Sequence, residues 1–196
     1  MYQVYFYEAF QEEEEAIRRY LPEKIKAGFT WKTIQESGHN EPPAEIISVR
    51  TQSVIPQDWA EFLESILSRS TGYDHLQSYC EQTGSPLACG YLPLYCNRSV
   101  AEQALLLWMS LLRKLRLQEN QFDIFKRDGL TGREVQYRNL VVVGVGNIGY
   151  EIVRIGRGLD MQVTGVDIEE KHEDVRYRPV DTALPNADIV VCAMNL

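Results

Sequence analysis

Basic residues and long apolar runs are both scarce in this sequence. Lysine and arginine number 20 against 28 aspartates and glutamates, which gives a net charge of -8. Binding of nucleic-acid phosphates needs clustered basic side chains, so this balance argues against a nucleic-acid partner. The longest apolar stretch, residues 104–112, is interrupted by Ser110 and is about half as long as the roughly 20 residues that span a membrane. We therefore expect neither a nucleic-acid nor a membrane partner.

Cysteine motifs and export signals are missing as well. The four cysteines have spacings that match neither a zinc ribbon nor a redox Cys-x-x-Cys pair, so we expect free, buried thiols and no metal site; they are Cys80, Cys89, Cys96 and Cys192. The N-terminus shows no basic segment and no small-residue cleavage site, which predicts a cytoplasmic protein. The acidic run at residues 12–15 opens a predicted helix, where the helix dipole favours carboxylates, so we interpret it as a solvated face.

The first half of the chain alternates between predicted strands and helices. Hydrophobic periodicity predicts strands at residues 4–7, 45–49, 66–70 and 87–91, and helices at residues 11–21, 56–62 and 75–81. This alternation is typical of an α/β protein with a parallel sheet. Gly72 lies in a turn after one of the predicted strands, and ligands bind at such turns in open α/β sheets.

A second domain is predicted to begin at Ser99, which has the spacing of a capping box with Glu102. The apolar residues that follow cover more than one helix face; they are Ala104, Leu105, Leu107, Trp108, Leu111, Leu112 and Leu115. This pattern predicts a helix buried in an interdomain or subunit contact, with a core helix of a single domain as the alternative. Residues 118–138 are mostly polar and predict an irregular surface connection.

Three closely spaced glycines follow an apolar run at residues 140–143. In the segment 144–149, Gly144 allows a tight turn, Gly146 lets the backbone approach a pyrophosphate, and Gly149 lets a helix pack on the strand. The N–H groups at the start of that helix then face the phosphates. The pattern predicts the first part of a Rossmann nucleotide-binding unit.

Asp167 supplies the second half of this prediction. It stands at the end of the next predicted strand, about 20 residues beyond the glycines. A carboxylate at this position accepts hydrogen bonds from both ribose hydroxyls and repels a 2′-phosphate. NAD is therefore preferred to NADP. A glycine-rich helix start that binds nothing and a site for S-adenosylmethionine are the alternatives. Residues 188–193 predict one more parallel strand on the other side of the first, so the Rossmann domain looks incomplete.

Three segments together resemble the D-isomer-specific 2-hydroxyacid dehydrogenases, and D-lactate dehydrogenases most of all. The segments are Ser-Thr-Gly-Tyr-Asp-His at 70–75, Leu-Pro-Leu-Tyr at 92–95 with Ser-Val-Ala-Glu at 99–102, and the glycine motif through Asp167. The resemblance covers essentially the whole chain. It implies a flavodoxin-like substrate or lid domain at residues 1–98, an NAD-binding Rossmann domain at residues 99–196, and a homodimer.

The resemblance also implies site residues. Thr71 and Gly72 lie where the family's loop offers backbone N–H groups to the substrate carboxylate. Tyr95 lies where D-lactate-type members contact the substrate, although packing on the long helix is an equal alternative for a tyrosine. Asn147 and Ile148 would meet the pyrophosphate of NAD.

The family's catalytic groups are an arginine that binds the keto acid, a Glu-His pair that supplies the proton, and an aspartate near the nicotinamide. The resemblance places all of them after the last predicted strand, so we expect no catalytic residue in this chain. His39, His75 and His172 do not match the catalytic histidine, and we interpret them as surface or loop residues.

Two functional hypotheses follow. The first is an NAD-dependent oxidoreductase acting on the CH–OH group of a small D-2-hydroxy acid, with little or no turnover by these 196 residues alone. The alternative is a non-catalytic NAD-binding module with a regulatory or protein-interaction role.

Overall fold

A parallel five-stranded sheet organises the first of two structural units. The computed structural model describes residues 2–194 and divides into Met1–Tyr95 and Cys96–Leu196. The sheet of the first unit has the order β2-β1-β3-β4-β5, which is the flavodoxin-like order and confirms the predicted fold class. Its strands are β1 Val4–Phe6, β2 Ala27–Phe29, β3 Ile46–Val49, β4 Ser65–Ser68 and β5 Ala88–Gly90.

Helices cover both faces of this sheet and enclose two apolar clusters. They are α1 Gln11–Tyr20, α2 Ile34–Ser37 and α3 Asp74–Thr83, with a 3-10 turn at Gln57–Glu61. Side chains of β1 alternate between the two faces of the sheet. Val4 and Phe6 belong to one cluster, while Tyr5 and the following Tyr7 belong to the other, with the buried Trp59. The central strands are therefore buried on both faces, as parallel strands usually are.

Strand β2 was not predicted from the sequence. Its residues, Ala-Gly-Phe, include one fully buried position and no β-branched side chain, so they carry no strand signal. A side chain at Gly28 would overlap the ring of Tyr5. The glycine is therefore needed where β2 lies against β1. The helix predicted at residues 56–62 is the short 3-10 turn that carries Trp59.

The acidic run at residues 12–15 is only partly a solvated face. Glu12 and Glu15 are exposed, as expected, but Glu13 forms an ion pair with Arg69 at the end of β4, with Nε and Oε1 2.8 Å apart. The interpretation as a uniformly solvated face is therefore wrong for Glu13. A contact between residues so far apart in sequence leaves no local signal.

The second unit is built on a parallel three-stranded sheet with the order β7-β6-β8. Its strands are β6 Asn139–Val143, β7 Gln162–Val166 and β8 Ile189–Cys192, and its helices are α4 Asn97–Leu112, α5 Leu115–Phe122, α6 Asn147–Gly158 and α7 Val180–Ala183. A 3-10 turn at Leu184–Asn186 precedes β8. Helix α6 connects β6 to β7 and buries Ile152, Val153 and Ile155. The predicted Rossmann unit and the position of β8 beside β6 are confirmed.

Helix α4 departs from the prediction in two ways. It begins at Asn97, and no capping box forms: the Ser99 hydroxyl donates to the Cys96 carbonyl, while the Glu102 carboxylate accepts from Arg98 at 2.7 Å. One face of α4 is a core face, since Ala101 and Trp108 are buried in the cluster that includes α6. Leucines on its other face are exposed.

Two further expectations need correction. The predicted irregular connection starts only after α5, because residues 118–122 are helical. None of the four cysteines forms a disulfide, but none is fully buried either, and Cys89 and Cys192 are exposed. Within residues 2–194, no helix combines the length and the apolar character that crossing a bilayer requires.

Candidate nucleotide-binding site

The end of β6 turns sharply at Gly144. This residue has φ +87°, and a side chain there would stand 2.7 Å from the carbonyl oxygen of Ala193. Its N–H donates to the carbonyl of Val166 at 2.8 Å, which holds the turn against the end of β7. Both the backbone conformation and the crowding require glycine at this position.

Gly149 and Gly146 serve different purposes. A side chain on Gly149 would overlap the carbonyl oxygen of Gly144, so α6 can lie this close to the turn only with glycine. Apart from its chain neighbours, no described residue has an atom within 4 Å of the position that a Cβ would take on Gly146. Gly146 is therefore not required by the packing of this unit, and it leaves open space beside the helix start.

The first turn of α6 presents uncapped N–H groups. Gly146 is the N-cap residue, has no side chain to cap the helix, and no acidic residue stands in the first turn. Asn147 is exposed and Ile148 is half-buried. The first backbone N–H groups of a helix have no partner within it, and they lie at the positive end of the helix dipole. This arrangement suits a diphosphate.

Asp167 connects the end of β7 to the glycine turn. Its Oδ2 accepts a hydrogen bond from the N–H of Val145 at 2.6 Å, and its Oδ1 accepts one from Glu169 at 3.2 Å. Burial opposes ionisation of this carboxyl, but the N–H groups of Val145, Glu169 and Ile168 outweigh it and hold the pKa below its ordinary value. Asp167 is thus a carboxylate at neutral pH, with further lone pairs available for a ligand.

A cavity of about 730 Å³ lies beside the glycine turn and Asp167, and the predicted residues Asn147 and Ile148 are not among those that line it. Gly144, Gly146 and Asp167 line it together with Ile168, Arg178, Pro179 and Val180. The last four were not singled out from the sequence. Tyr177 makes a single parallel bridge to Gly165, which brings residues 178–180 to the edge of the sheet. The segment 176–178, Arg-Tyr-Arg, has no apolar run, so no signal in the sequence predicts this bridge.

The strand order explains why the cavity lies where it does. From β6 the chain passes to β7 and then to the bridge at Tyr177, before β8 returns to the opposite side of β6. The order of strands therefore reverses at β6. Ligands of open parallel sheets bind at the carboxyl ends of the strands at such a reversal, and this is where the glycine turn stands.

These residues fit a dinucleotide. The turn excludes side chains, the helix start supplies N–H donors, and the carboxylate of Asp167 can accept from two vicinal hydroxyls. The exposed Ile168 and Val180 add apolar surface to the same cavity, which suits a flat base. Within residues 2–194, no group of three or more His, Cys, Asp or Glu side chains could hold a metal ion.

The predicted substrate residues lie in the first unit. Thr71 and Gly72 belong to the loop between β4 and α3. Apart from its chain neighbours, no residue in the described part of the chain lies within 4 Å of the position that a Cβ would take on Gly72. The N–H of Leu92 donates to the carbonyl of Ser70 at 3.1 Å. This bond joins the loop to residues 91–95, the segment that ends at Tyr95, whose side chain is 54% exposed. Residues 70–73 are called the substrate loop below.

The three histidines take different places. His39 contacts the hydroxyl of Tyr7 through Nδ1 at 2.8 Å, and the ring of His172 stacks on Tyr150. Both lie in loops, as expected. His75 lies in α3, so the interpretation as a surface or loop residue is wrong for it. Burial lowers the pKa of His75 and so favours the neutral form of its ring.

Comparison with known proteins agrees with this geometry. Residues 105–196 match the family model of the D-isomer specific 2-hydroxyacid dehydrogenase, NAD binding domain, which confirms NAD as the predicted cofactor. A D-specific alpha-keto acid dehydrogenase of Enterococcus faecalis is 31% identical over 134 residues, covering 67% of this chain and 40% of that protein. A D-lactate dehydrogenase of Curvularia clavata is 29% identical over 147 residues, covering 70% and 41%.

A solved structure shares the fold. The D-lactate dehydrogenase of Aquifex aeolicus, complexed with NAD and lactic acid, superposes with a TM-score of 0.79 at 24% identity, covering 98% of this chain and 60% of that one. The chain therefore spans less than half the length of the two curated relatives and about three fifths of this structure.

Proposed function

Because the chain belongs to the D-isomer-specific 2-hydroxyacid dehydrogenase family, we propose that it serves as an NAD-dependent oxidoreductase for a small D-2-hydroxy acid. The observation that carries the proposal is the presence of Gly146, the N-cap residue of α6, and of Asp167 in the lining of one cavity. A diphosphate and a ribose diol are the ligand groups that this pair of features can recognise.

Each residue of the nucleotide site has a role that its position supports. The N–H groups of Asn147 and Ile148 would bind the diphosphate, and Gly146 would let it approach the backbone. Asp167 would accept hydrogen bonds from the ribose hydroxyls. NAD, when bound, supplies hydride transfer between its nicotinamide ring and the C2 atom of the acid.

The substrate loop is the proposed site for the acid. Backbone N–H groups of Thr71 and Gly72 would bind its carboxylate, and Tyr95 would contact the substrate, as the family resemblance implies. The bond between Leu92 and Ser70 supports this assignment, because it holds the loop beside the segment that carries Tyr95. The arginine and the Glu-His pair of the family have no counterpart among these residues, so we expect little or no turnover by the 196-residue chain.

An NADH titration with a turnover assay tests the proposal. We expect a saturable change in NADH fluorescence and weaker binding of NADPH, since Asp167 repels a 2′-phosphate. Consumption of NADH above background with pyruvate or a longer 2-oxo acid would support the oxidoreductase directly. Saturable binding with no turnover and no effect of any 2-oxo acid on binding would favour the regulatory module. Absence of saturable binding would refute both.

We also propose that the protein is a cytoplasmic homodimer, joined through the exposed apolar face of α4 and α5. The face is defined by Leu107, Leu111, Leu115 and Phe122, of which Leu111 is 78% exposed. Leu107 and Leu111 lie one turn apart on α4, and Leu115 and Phe122 line one groove on α5. Exposed apolar patches of this kind often mark protein–protein contacts. A second copy is the proposed occupant, because isologous dimers are the commonest assembly of such chains.

Charge on this face should prevent the association. We expect the double substitution L107E and L111E to weaken the dimer by roughly two orders of magnitude or more, because burying each leucine contributes about 1.5–3 kcal/mol. Sedimentation over a range of concentrations measures the change, and NADH affinity should stay unchanged because neither leucine lines the cavity. The matched control V54E places a glutamate at another exposed position and should leave the assembly intact. An unaltered dimer in the double variant would contradict the assignment.

A further inference from the structure

Two cysteine sulfurs of the first unit lie in contact. The Sγ atoms of Cys80 and Cys89 are 3.4 Å apart, although both residues are free thiols. Cys80 belongs to α3 and Cys89 to β5. The nucleotide site uses neither residue, so this pair is available for chemistry of its own.

The backbone keeps the two sulfurs together. Gly84 caps the C-terminal end of α3. Its φ is +64°, and its N–H donates to the Cys80 carbonyl at 2.9 Å. The chain enters β5 a few residues later, and there Cys89 pairs in register with Ile66 of β4. Cys80 is thus fixed by the end of a helix and Cys89 by a sheet, so their approach does not depend on a flexible loop.

Neither cysteine of the pair is a buried residue. Cys89 is exposed, Cys80 is half-buried, and β5 is the edge strand of its sheet. An external disulfide can therefore approach the pair without unfolding the unit. Reactive cysteines are typically accessible in this way.

We propose that Cys80 and Cys89 are a redox modification site that closes to an intramolecular disulfide by exchange with a small-molecule disulfide of the glutathione class. One protein thiolate attacks the external disulfide, forms a mixed disulfide and releases one small thiolate. The second protein thiolate then attacks the protein sulfur of the mixed disulfide and releases the other. The protein loses two electrons and two protons, and the external disulfide is reduced to two thiols.

The thiol chemistry sets the conditions of the exchange. Burial, together with the hydrogen bond to Cys80, raises the pKa of the Cys89 thiol to about 11, so Cys89 is protonated at neutral pH. Either thiolate can make the first attack on the external disulfide, and the other then closes the bond. Since the thiolate is the nucleophile, the exchange is best measured in mildly alkaline buffer.

Closure of the disulfide joins α3, which follows the substrate loop, to β5, which leads into residues 91–95. Helix α3 follows the loop directly, and β5 leads into the segment in which Leu92 donates to Ser70. The rings of Tyr73 and Tyr91 add a contact between loop and segment, with centroids 4.6 Å apart. Oxidation should therefore slow amide hydrogen exchange in residues 70–73 and 91–95.

The test is to treat the whole protein with oxidised glutathione and measure its intact mass. The wild type should lose two hydrogens, with the closed form in roughly tenfold or greater excess over the mixed disulfide, because the second thiol acts intramolecularly. Peptide mapping should place the bond between Cys80 and Cys89, and dithiothreitol should reverse it. These readouts do not depend on NAD binding, so they can fail or succeed separately from the proposed function.

Single substitutions sharpen the result. C89S should stop at a stable glutathione adduct on Cys80, and C80S should stop at one on Cys89, because each variant lacks the thiol that closes the bond. The matched control C192S removes an exposed cysteine outside the pair and should close like the wild type. Circular dichroism checks that each variant is folded. A wild-type protein that accumulates only mixed disulfides, or that crosslinks through Cys96 or Cys192, would overturn the proposal.

Discussion

Replacing Asp167 with asparagine should weaken NADH binding about thirtyfold. The carboxylate ends β7 beside the glycine turn and lines the cavity. Hydrogen bonds to a charged group are worth about 1.5–3 kcal/mol each, and the amide keeps only one acceptor oxygen. A loss of about 2 kcal/mol corresponds to that change in dissociation constant, which a fluorescence titration measures.

The same substitution should also reduce the preference for NADH over NADPH. The negative charge that repels a 2′-phosphate is absent from the amide, so the ratio of the two dissociation constants should move towards one. The matched control D181N removes a carboxylate from α7, in the same unit but outside the cavity. It should bind both nucleotides as the wild type does. Unchanged NADH affinity in D167N would contradict the assigned role of Asp167.

The pH dependence of binding gives a second view of Asp167. Backbone N–H groups hold its pKa below the ordinary value of 3.8, against the opposing effect of burial. Because the pKa of Asp167 is lowered, its carboxylate stays ionised down to that lowered pKa and is protonated only as the pH falls through it. The wild-type affinity should therefore stay level between about pH 8 and pH 5, where an ordinary aspartate is also ionised.

The arrangement of the proposed nucleotide site could be predicted from sequence because it depends mostly on residues that are close together in the chain. Gly144 and Gly149 are close in sequence, and a side chain on either would overlap nearby backbone. Asp167 follows at the end of the next strand. Strand, turn, helix and strand are consecutive in the chain. Their order alone places the helix start and the carboxylate at one edge of the sheet.

Features that depend on distant residues could not be predicted. Arg178 and Val180 reach the cavity through the bridge at Tyr177, which has no apolar pattern. The contact between Cys80 and Cys89 joins a helix to a strand, and their spacing matches no cysteine motif. Helix α4 carries apolar residues on two faces, so its sequence alone could not tell the core face with Trp108 from the exposed one with Leu111.

The glycines at 146 and 149 should give opposite results when each is replaced by alanine. A methyl group on Gly149 meets the Gly144 carbonyl, and backbone cannot move aside as a flexible side chain can. G149A should therefore destabilise the second unit by about 3 kcal/mol, the upper part of the usual range for overpacking. Thermal unfolding followed by circular dichroism measures the loss.

G146A should leave the unfolding temperature close to that of the wild type, because no described residue other than its chain neighbours lies within 4 Å of the added methyl group. NADH binding should nevertheless weaken about tenfold or more, since the methyl group occupies space that a diphosphate needs beside the start of α6. The pair separates a glycine required by the fold from one required by the ligand. If G146A bound NADH as the wild type does, the diphosphate would not lie at this turn, even with Asp167 in its assigned role.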